Sequence, residues 1–361
     1  MNNAHEFGRL YDSVCALERS GFAPPAALAT IVRTSGSTFR HAGSSMLVRA
    51  DGDVVCALSG GCPQHDIVQR ARRVIADDVP QLAGYNRESG LDVLLEMGCG
   101  GELDVLIEPL GATRDVAFLH VLAQLHARRR TGFMATAFAR DGAALAPRPR
   151  RLMHCDGVVW NDFNDDALVA QAIALAQASG APAVAMHRCG TTEVLLEALR
   201  PQQLLVLVGV NAVSHALAAT AASLGWKSLL VDDGAAADVA RSSLPSGATV
   251  LRAGPRELRE HVAGDPCCAA VVTTFKLEKD LAYLAELAQI TLGYLGAIGS
   301  RERSERMRAA TGAAMLHAPA GLDIGAATPQ EIALAIVAEI MALHNVRSAA
   351  PLSSRTADSG R

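Results

Sequence analysis

The chain is poor in aromatic residues, at 4% of 361 positions, and it has no excess of positive charge. Its 33 Lys and Arg are outnumbered by 37 Asp and Glu, leaving a formal net charge of -4. Without a basic surface or aromatic stacking platforms, nucleic-acid binding is not expected. Long hydrophobic runs are missing as well. Stretches such as Leu204–Val213 fall far short of the ~20 residues that span a bilayer, so no membrane segment is expected. The opening MNNAHEFGRL lacks the basic-then-apolar order of a secretory leader, which points to a cytoplasmic protein. In that compartment the eight cysteines are expected as reduced thiols. None forms a C-x-x-C pair and no two pairs recur at zinc-finger spacing, which argues against structural zinc. What is present is apolar bulk: 50% hydrophobic and 19% charged residues, the composition of a compact fold. At ~100–200 residues per domain the length predicts two of them.

Phe7, Leu10, Tyr11, Val14 and Leu17 recur at three- and four-residue spacing and predict an N-terminal helix. Strands at Ala26–Arg33 and Ser45–Arg49 flank a polar, glycine-bearing loop, Thr34–Gly43, that carries Arg40. Asp51-Gly52 is a hairpin signal, and a return strand over Asp53–Leu58 leads into Ser59-Gly60-Gly61-Cys62. A helix is expected from Pro63 through Ile75, with Pro at its first position. Apolar strands at Leu91–Glu96 and Asp104–Pro109 flank a second glycine-cysteine turn, Gly98-Cys99-Gly100-Gly101. From Asp115 to Thr192 the pattern weakens to a helix (Val116–Ala127), a strand (Met134–Ala139) and a basic stretch, Arg148-Pro149-Arg150-Arg151. This segment reads as the completion of the first domain. No internal repeat is visible.

The second half changes character. Leu204–Val208 is continuously apolar, as in a strand buried on both faces of a parallel sheet. A helix ending near Gly225 follows, then strands at Lys227–Val231, Thr249–Leu251 and Ala269–Thr273 with a helix near Arg256–Val262. Such alternation predicts a doubly wound domain. Thr328-Pro329-Gln330-Glu331 is a capping box that starts a helix running to about His344. The expected fold is therefore α/β: an N-terminal α/β domain over residues 1–198, a Rossmann-like doubly wound parallel-sheet domain over 199–346, and a tail over 347–361.

A dinucleotide fingerprint reads G-x-G-x-x-G between a strand and a helix, with an acid about 20 residues on. Here Gly209 is in place and Asp232, 23 residues later, stands where a ribose-binding acid belongs. Asn211 and Ser214 occupy the other two glycine positions. Asn211 would crowd a pyrophosphate, although Asn tolerates the left-handed backbone and Ser214 is small enough to pack. The turn predicts Rossmann topology and argues against NAD(P). The helix N-terminus after Gly209 stays open as a phosphate site.

These stretches resemble the XdhC/CoxI family, accessory proteins of molybdenum hydroxylases. Gly36-Ser37-Thr38-Phe39-Arg40, with Gly43 and Met46-Leu47-Val48, is similar to the family's G-S-[ST]-P-R loop. Ser59-Gly60-Gly61-Cys62 resembles its S-G-G-C segment, and Gly98-Cys99-Gly100-Gly101 with Ile107-Glu108-Pro109-Leu110 its G-C-G-G…I-E-P-L. Tyr294-Leu295-Gly296-Ala297-Ile298-Gly299-Ser300-Arg301 matches Y-I-G-x-[LM]-G-S-R, and Pro319-Ala320-Gly321-Leu322-Asp323-Ile324-Gly325-Ala326 the terminal signature. Departures are Phe39 for the usual Pro, Pro63-Gln64 for Leu-Glu, and Phe275 where a His is common.

The resemblance implies an insertion chaperone rather than an enzyme. Its cargo would be the molybdenum cofactor, a pterin with a dithiolene and a phosphate. Its partners would be a cysteine desulfurase that supplies the terminal sulfido ligand and an apo molybdenum hydroxylase of the xanthine dehydrogenase type. Soft thiolates suit the sulfur and metal end. Cys62, at a helix start that favours its thiolate, is the first candidate for molybdenum, and Cys99 the second. Gly60, Gly61, Gly209 and Arg40 suit the phosphate. Asp232, Ser300, Arg301 and Asp323 lie in turns expected at the carboxyl edge of the parallel strands. The two cysteine turns are expected to share a pocket with that edge. Tyr294 is read as packing, Glu331 as the capping box, and Glu339 as a helix-face charge. A homodimer fits the apolar composition without any motif for it. An NAD(P)-dependent oxidoreductase and a scaffold that docks the apo-hydroxylase without cofactor remain as alternatives.

Overall fold

A computed structural model describes residues 4–58, 61–86, 101–178, 184–232, 244–265, 267–312 and 315–354. The chain divides into two compact units, Met1–Pro201 and Gln202–Arg361. In the front unit, α1 (Ala4–Arg19) precedes β1 (Ala26–Ser35), β2 (Ser45–Arg49) and β3 (Val54–Val55). After α2 (Gly61–Asp77) come β4 (Gln81–Tyr85), β5 (Glu102–Leu110) and α3 (Thr113–Ala127). The five strands form a sheet of order β3-β2-β1-β5-β4 in which every pairing is antiparallel.

Strand β1 is apolar without alternation because both its faces are covered. Ala27, Ala29 and Ile31 pack with Ile67, Ala71 and Val74 of α2. Ala26 and Leu28 pack with Leu10 and Val14 of α1 and Val116 and Leu119 of α3. The hairpin forms at Asp51-Gly52, with Gly52 at φ +93°. Its return strand is only Val54–Val55, shorter than expected, because Cys56 turns out of the ladder at φ +64°. The strand expected at Leu91–Glu96 lies outside the described residues.

The weakly patterned middle of the chain makes a sheet of its own within the same unit. Its strands are β6 (Gly132–Arg140), β7 (Ala143–Ala144), β8 (Arg150–His154), β9 (Val158–Asn161), β10 (Val184–Cys189) and β11 (Thr192–Leu199). The order is β10-β11-β6-β8-β9, with β7 paired to β6. Helix α4 (Asp166–Ala178) covers one face through Ala172, Val169 and Ile173, against Ala135, Leu152 and Val194.

The rear unit alternates as the sequence predicts. Its elements are β12 (Leu204–Val208), α5 (Ala212–Ser223), β13 (Lys227–Asp232), β14 (Ala248–Arg252), α6 (Pro255–Val262) and β15 (Cys268–Val272). There follow α7 (Leu277–Leu287), β16 (Tyr294–Ala297), α8 (Arg301–Thr311), β17 (Leu316–His317) and α9 (Pro329–His344). All strands are parallel in the order β14-β13-β12-β15-β16-β17, the 3-2-1-4-5-6 arrangement of a Rossmann fold. Leu205 and Leu207 of β12 face α5 and α9. Val206 and Val208 face α6, α7 and α8. The capping box of α9 is in place, with Glu331 accepting from the amides of Ala327 and Thr328 at 2.8 and 2.9 Å. Among the described residues no helix is long and apolar enough to cross a membrane.

The two sheets of the front unit are joined by buried charge. The basic stretch Arg148-Pro149-Arg150-Arg151 enters β8, and Arg151 is buried there against Glu108 of β5. Its guanidinium donates to both carboxylate oxygens, at 3.2 Å to Oε2. It also lies 3.7 Å from the centroid of the Phe118 ring, a favourable cation–π position. Removing one member of a buried pair strands the other charge away from water. Glu108→Ala should therefore lower stability by about 3–5 kcal/mol, read as a drop in the urea midpoint of the front unit. Glu260→Ala, which breaks the exposed Arg256–Glu260 pair, should scarcely move the rear unit's midpoint.

Candidate functional site

At the carboxyl ends of β12, β13 and β15 lies a cleft of about 170 Å³, whose lining includes Gly209, Asn211, Asp232, Phe275, Lys276 and Lys279. It occupies the point where strand order reverses, the usual ligand crevice of an open α/β sheet. Gly209 has φ +102°. A Cβ there would sit 3.0 Å from Cα of Thr274 and 3.1 Å from the carbonyl carbon of Thr273. Only glycine lets β12 pass this close to the end of β15.

Asn211 is not left-handed, as its residue type suggested, but extended, at φ -158° and ψ -179°. It is the N-cap of α5. Its Oδ1 accepts from the amides of Val213 and Ser214 at 3.0 and 3.1 Å. Its Nδ2 donates to O and Oγ1 of Thr273 at 2.8 and 3.1 Å. Ser214 returns the cap, Oγ accepting from the Asn211 amide at 2.8 Å. The fingerprint glycines are thus replaced by a reciprocal cap, which engages amides that a phosphate would otherwise use. The N-x-x-S spacing carries that signal, although against the glycine fingerprint it reads only as a loss.

Asp232 ends β13 and is 4% exposed. The Tyr283 hydroxyl donates to the Ala253 carbonyl at 2.6 Å. Burial, then the nearby charges of Asp232 and Glu257, push the Tyr283 phenol pKa up. The lip of the cleft is held by a buried carboxylate that no sequence motif singles out. Asp280 accepts from Nη2 of Arg303 at 2.5 Å, from the Thr274 amide at 3.2 Å and from the Thr274 hydroxyl. Arg303 also donates to the Phe275 carbonyl at 3.1 Å. These bonds hold Phe275 at φ +63° with its side chain 59% exposed, a strained arrangement for a residue bearing a Cβ.

Three other expected site residues do not join this cleft. Ser300 caps α8, its Oγ accepting from the Arg303 amide at 3.3 Å. Arg301 is exposed in the first turn of α8 and Asp323 is exposed after β17. Neither is among the cleft's described lining. Glu339 is no helix-face charge. It accepts from the Tyr294 hydroxyl at 2.6 Å and the Gly321 amide at 2.8 Å, and lies 3.2 Å from Nδ1 of His317. The Tyr294 and His317 rings stack at 4.7 Å. Gly296 is required beneath them, since a Cβ there would fall 2.5 Å from the Tyr294 ring.

In the front unit, the Gly36–Gly43 loop meets Ala57, just ahead of the S-G-G-C segment, and Gly101, at the end of the second glycine-cysteine turn. Arg40 grips Glu6 of α1 with both terminal nitrogens, Nη1 at 2.9 Å, and Nη2 also donates to the Ala57 carbonyl at 3.1 Å. The guanidinium expected for phosphate is therefore a brace. It fastens the Gly36–Gly43 loop to the chain just ahead of the S-G-G-C segment. Hydrogen bonding to Glu6 pushes its pKa further up, against the effect of burial. Gly101, the last residue of the second glycine-cysteine turn, abuts the same loop. A Cβ on it would fall within 2.1 Å of the Ser37 carbonyl oxygen. The buried Thr38 hydroxyl oxygen beside it has no partner among the described residues. Gly61 and Cys62 are the first two residues of α2, so Cys62 stands at a helix N-terminus as expected. Gly60 and Cys99 lie outside the described residues.

A glycine- and cysteine-bearing α/β unit followed by a Rossmann domain with a rebuilt fingerprint defines the class of protein. The family model described as "XdhC and CoxI family" matches residues 23–86 and that described as "XdhC Rossmann domain" matches residues 205–340, together more than half of the chain. The chain belongs to the XdhC and CoxI family. It is 29% identical over 319 residues to a Bacillus subtilis (strain 168) protein whose name describes a probable xanthine dehydrogenase subunit, covering 88% of this chain and 92% of that one. It is 26% identical over 336 residues to the "Uncharacterized protein YqeB" of Escherichia coli (strain K12), covering 89% of this chain and 44% of that longer protein. The fold is that of a crystal structure described as a xanthine dehydrogenase from Bacillus halodurans, with a TM-score of 0.76, 23% identity, and coverage of 95% and 97% of the two chains.

The Glu339 cluster should make the rear unit sensitive to acid. Burial pushes the Glu339 carboxyl up, but the bonds from His317, Tyr294 and Gly321 outweigh it and hold the pKa below the usual carboxylate value. Stability from such a group is present above its unfolded pKa of about 4.3 and lost as pH falls through the lower folded value. Glu339→Gln should lower the melting temperature at neutral pH and flatten its decline in acid. An unchanged acid slope would show that Glu339 carries none of it.

Proposed function

We propose that this chain is a maturation factor for a xanthine dehydrogenase-type molybdenum hydroxylase, and a carrier rather than an enzyme. The molybdenum cofactor is its cargo. The chain shields it while a cysteine desulfurase supplies the terminal sulfido ligand, and hands it to the apo-hydroxylase. The observation that most supports this reading is that Ala57, just ahead of the S-G-G-C segment, and Gly101, at the end of the second glycine-cysteine turn, both contact the Gly36–Gly43 loop. Family membership and the name of the Bacillus subtilis relative favour the same client class.

The chemistry follows from the residues. A thiolate at Cys62, the second residue of α2, would be a soft donor suited to molybdenum and its sulfur, with Cys99 as the second thiol. Backbone amides at the Gly61 end of the same helix suit the phosphate. Arg40 positions the loop by gripping Glu6 and the Ala57 carbonyl, so it acts on the cargo only through the shape of that loop. In the rear unit the capped Gly209 turn disfavours the alternative of an NAD(P)-dependent oxidoreductase.

Chain purified from cells that make the cofactor should release pterin, measured by fluorescence after oxidation. Cys62→Ala should lower the yield at least about tenfold, a loss of roughly 1.4 kcal/mol or more of binding. Wild-type chain without pterin, or undiminished pterin in Cys62→Ala, would contradict the proposal.

A further inference from the structure

The rear cleft keeps one half of a dinucleotide site and has closed the other. A pyrophosphate diester is held by amides at the start of the first helix, approached across a glycine. Here the Val213 and Ser214 amides are taken by Asn211 Oδ1, and the carboxamide is tied on its other side to Thr273. A pyrophosphate would have to displace all four bonds. The ribose end is unaltered: Asp232 closes β13 and lines the cleft, where a carboxylate accepts from a vicinal diol.

Positive charge enters from the opposite wall. Lys276 is the N-cap of α7 and Lys279 is in its first turn, and both line the cleft. Ammonium groups are compact point charges that suit a terminal phosphate rather than a bidentate diester. The buried Asp232 carboxylate repels an anion from the β13 side, so the anionic end of a ligand must point toward the lysines. Phe275, pinned on the lip by Arg303 and Asp280, adds an exposed flat face.

We infer that this cleft binds a ribonucleoside 5′-monophosphate in preference to a dinucleotide, with the ribose diol on Asp232 and the phosphate on Lys276 and Lys279. This goes beyond the maturation role, which pterin content on the same preparations reports separately. Full-length chain is titrated calorimetrically with AMP, GMP, CMP and UMP, the 2′-deoxy form of the best binder, and NAD. One ribonucleotide should bind at least about tenfold more tightly than NAD, and its 2′-deoxy form should lose about tenfold, near 1.4 kcal/mol. Asp232→Asn should weaken the ribonucleotide and not its 2′-deoxy form. Lys279→Ala should weaken the ribonucleotide and not the parent nucleoside. Asn211→Gly, which frees the two amides and restores the second glycine, should gain NAD affinity. NAD binding as tight as the best monophosphate, no binding by any of the four, or no gain in Asn211→Gly with its circular dichroism unchanged would overturn the inference.

Discussion

The rim of the parallel sheet depends on how a single carboxamide is engaged. Asn211 accepts two helix amides with one end and fastens β15 through Thr273 with the other. The turn after β12 is therefore closed by its own side chain, where a dinucleotide-binding turn is left open for ligand. Gly209 makes this possible by letting the two strand ends nearly touch, and Ser214 completes the cap. Such a helix start is stable without a bound anion. The crevice then answers to what stands around it: an acid at the end of β13 and two lysines at the start of α7.

In the front unit the comparable constraint is Arg40. A guanidinium with both terminal nitrogens on one carboxylate has a fixed orientation, so the Gly36–Gly43 loop hangs from α1 and the Ala57 carbonyl at once. Gly101 closes against the same loop at Ser37. These contacts fix Ala57 and Gly101, the described residues that flank the two glycine-cysteine segments, against the loop. The loop is thus positioned by residues of the scaffold around it.

The elements legible in the sequence are those whose signals are local. The apolar run Leu204–Val208, the Thr328–Glu331 cap and the Asp51-Gly52 turn each state their structure within a few residues. What stays illegible depends on partners far along the chain. Glu339 looks like a surface charge until Tyr294, 45 residues away, and His317, 22 away, are folded onto it. Arg151 looks like one charge of a basic stretch until Glu108 meets it inside the unit. Strands β10 and β11 carry the charges of Arg188 and Glu193, and Glu193 is buried only because Arg33, 160 residues earlier, reaches it. Arg40 stands out in the sequence as a ligand contact and Asn211 as a lost glycine, rather than as the brace and the cap they form. A residue type suited to a ligand is equally suited to a cap or a brace, and only geometry separates the two.

Delivery is the central claim, and transfer measures it most directly. Cofactor-loaded chain is mixed with apo-hydroxylase, the two are separated, and pterin and hydroxylase activity are followed together. The account predicts that pterin leaves the chain, appears on the hydroxylase, and that activity rises in step. Pterin that stays on the chain, or hydroxylase that matures equally well from free cofactor alone, would contradict it.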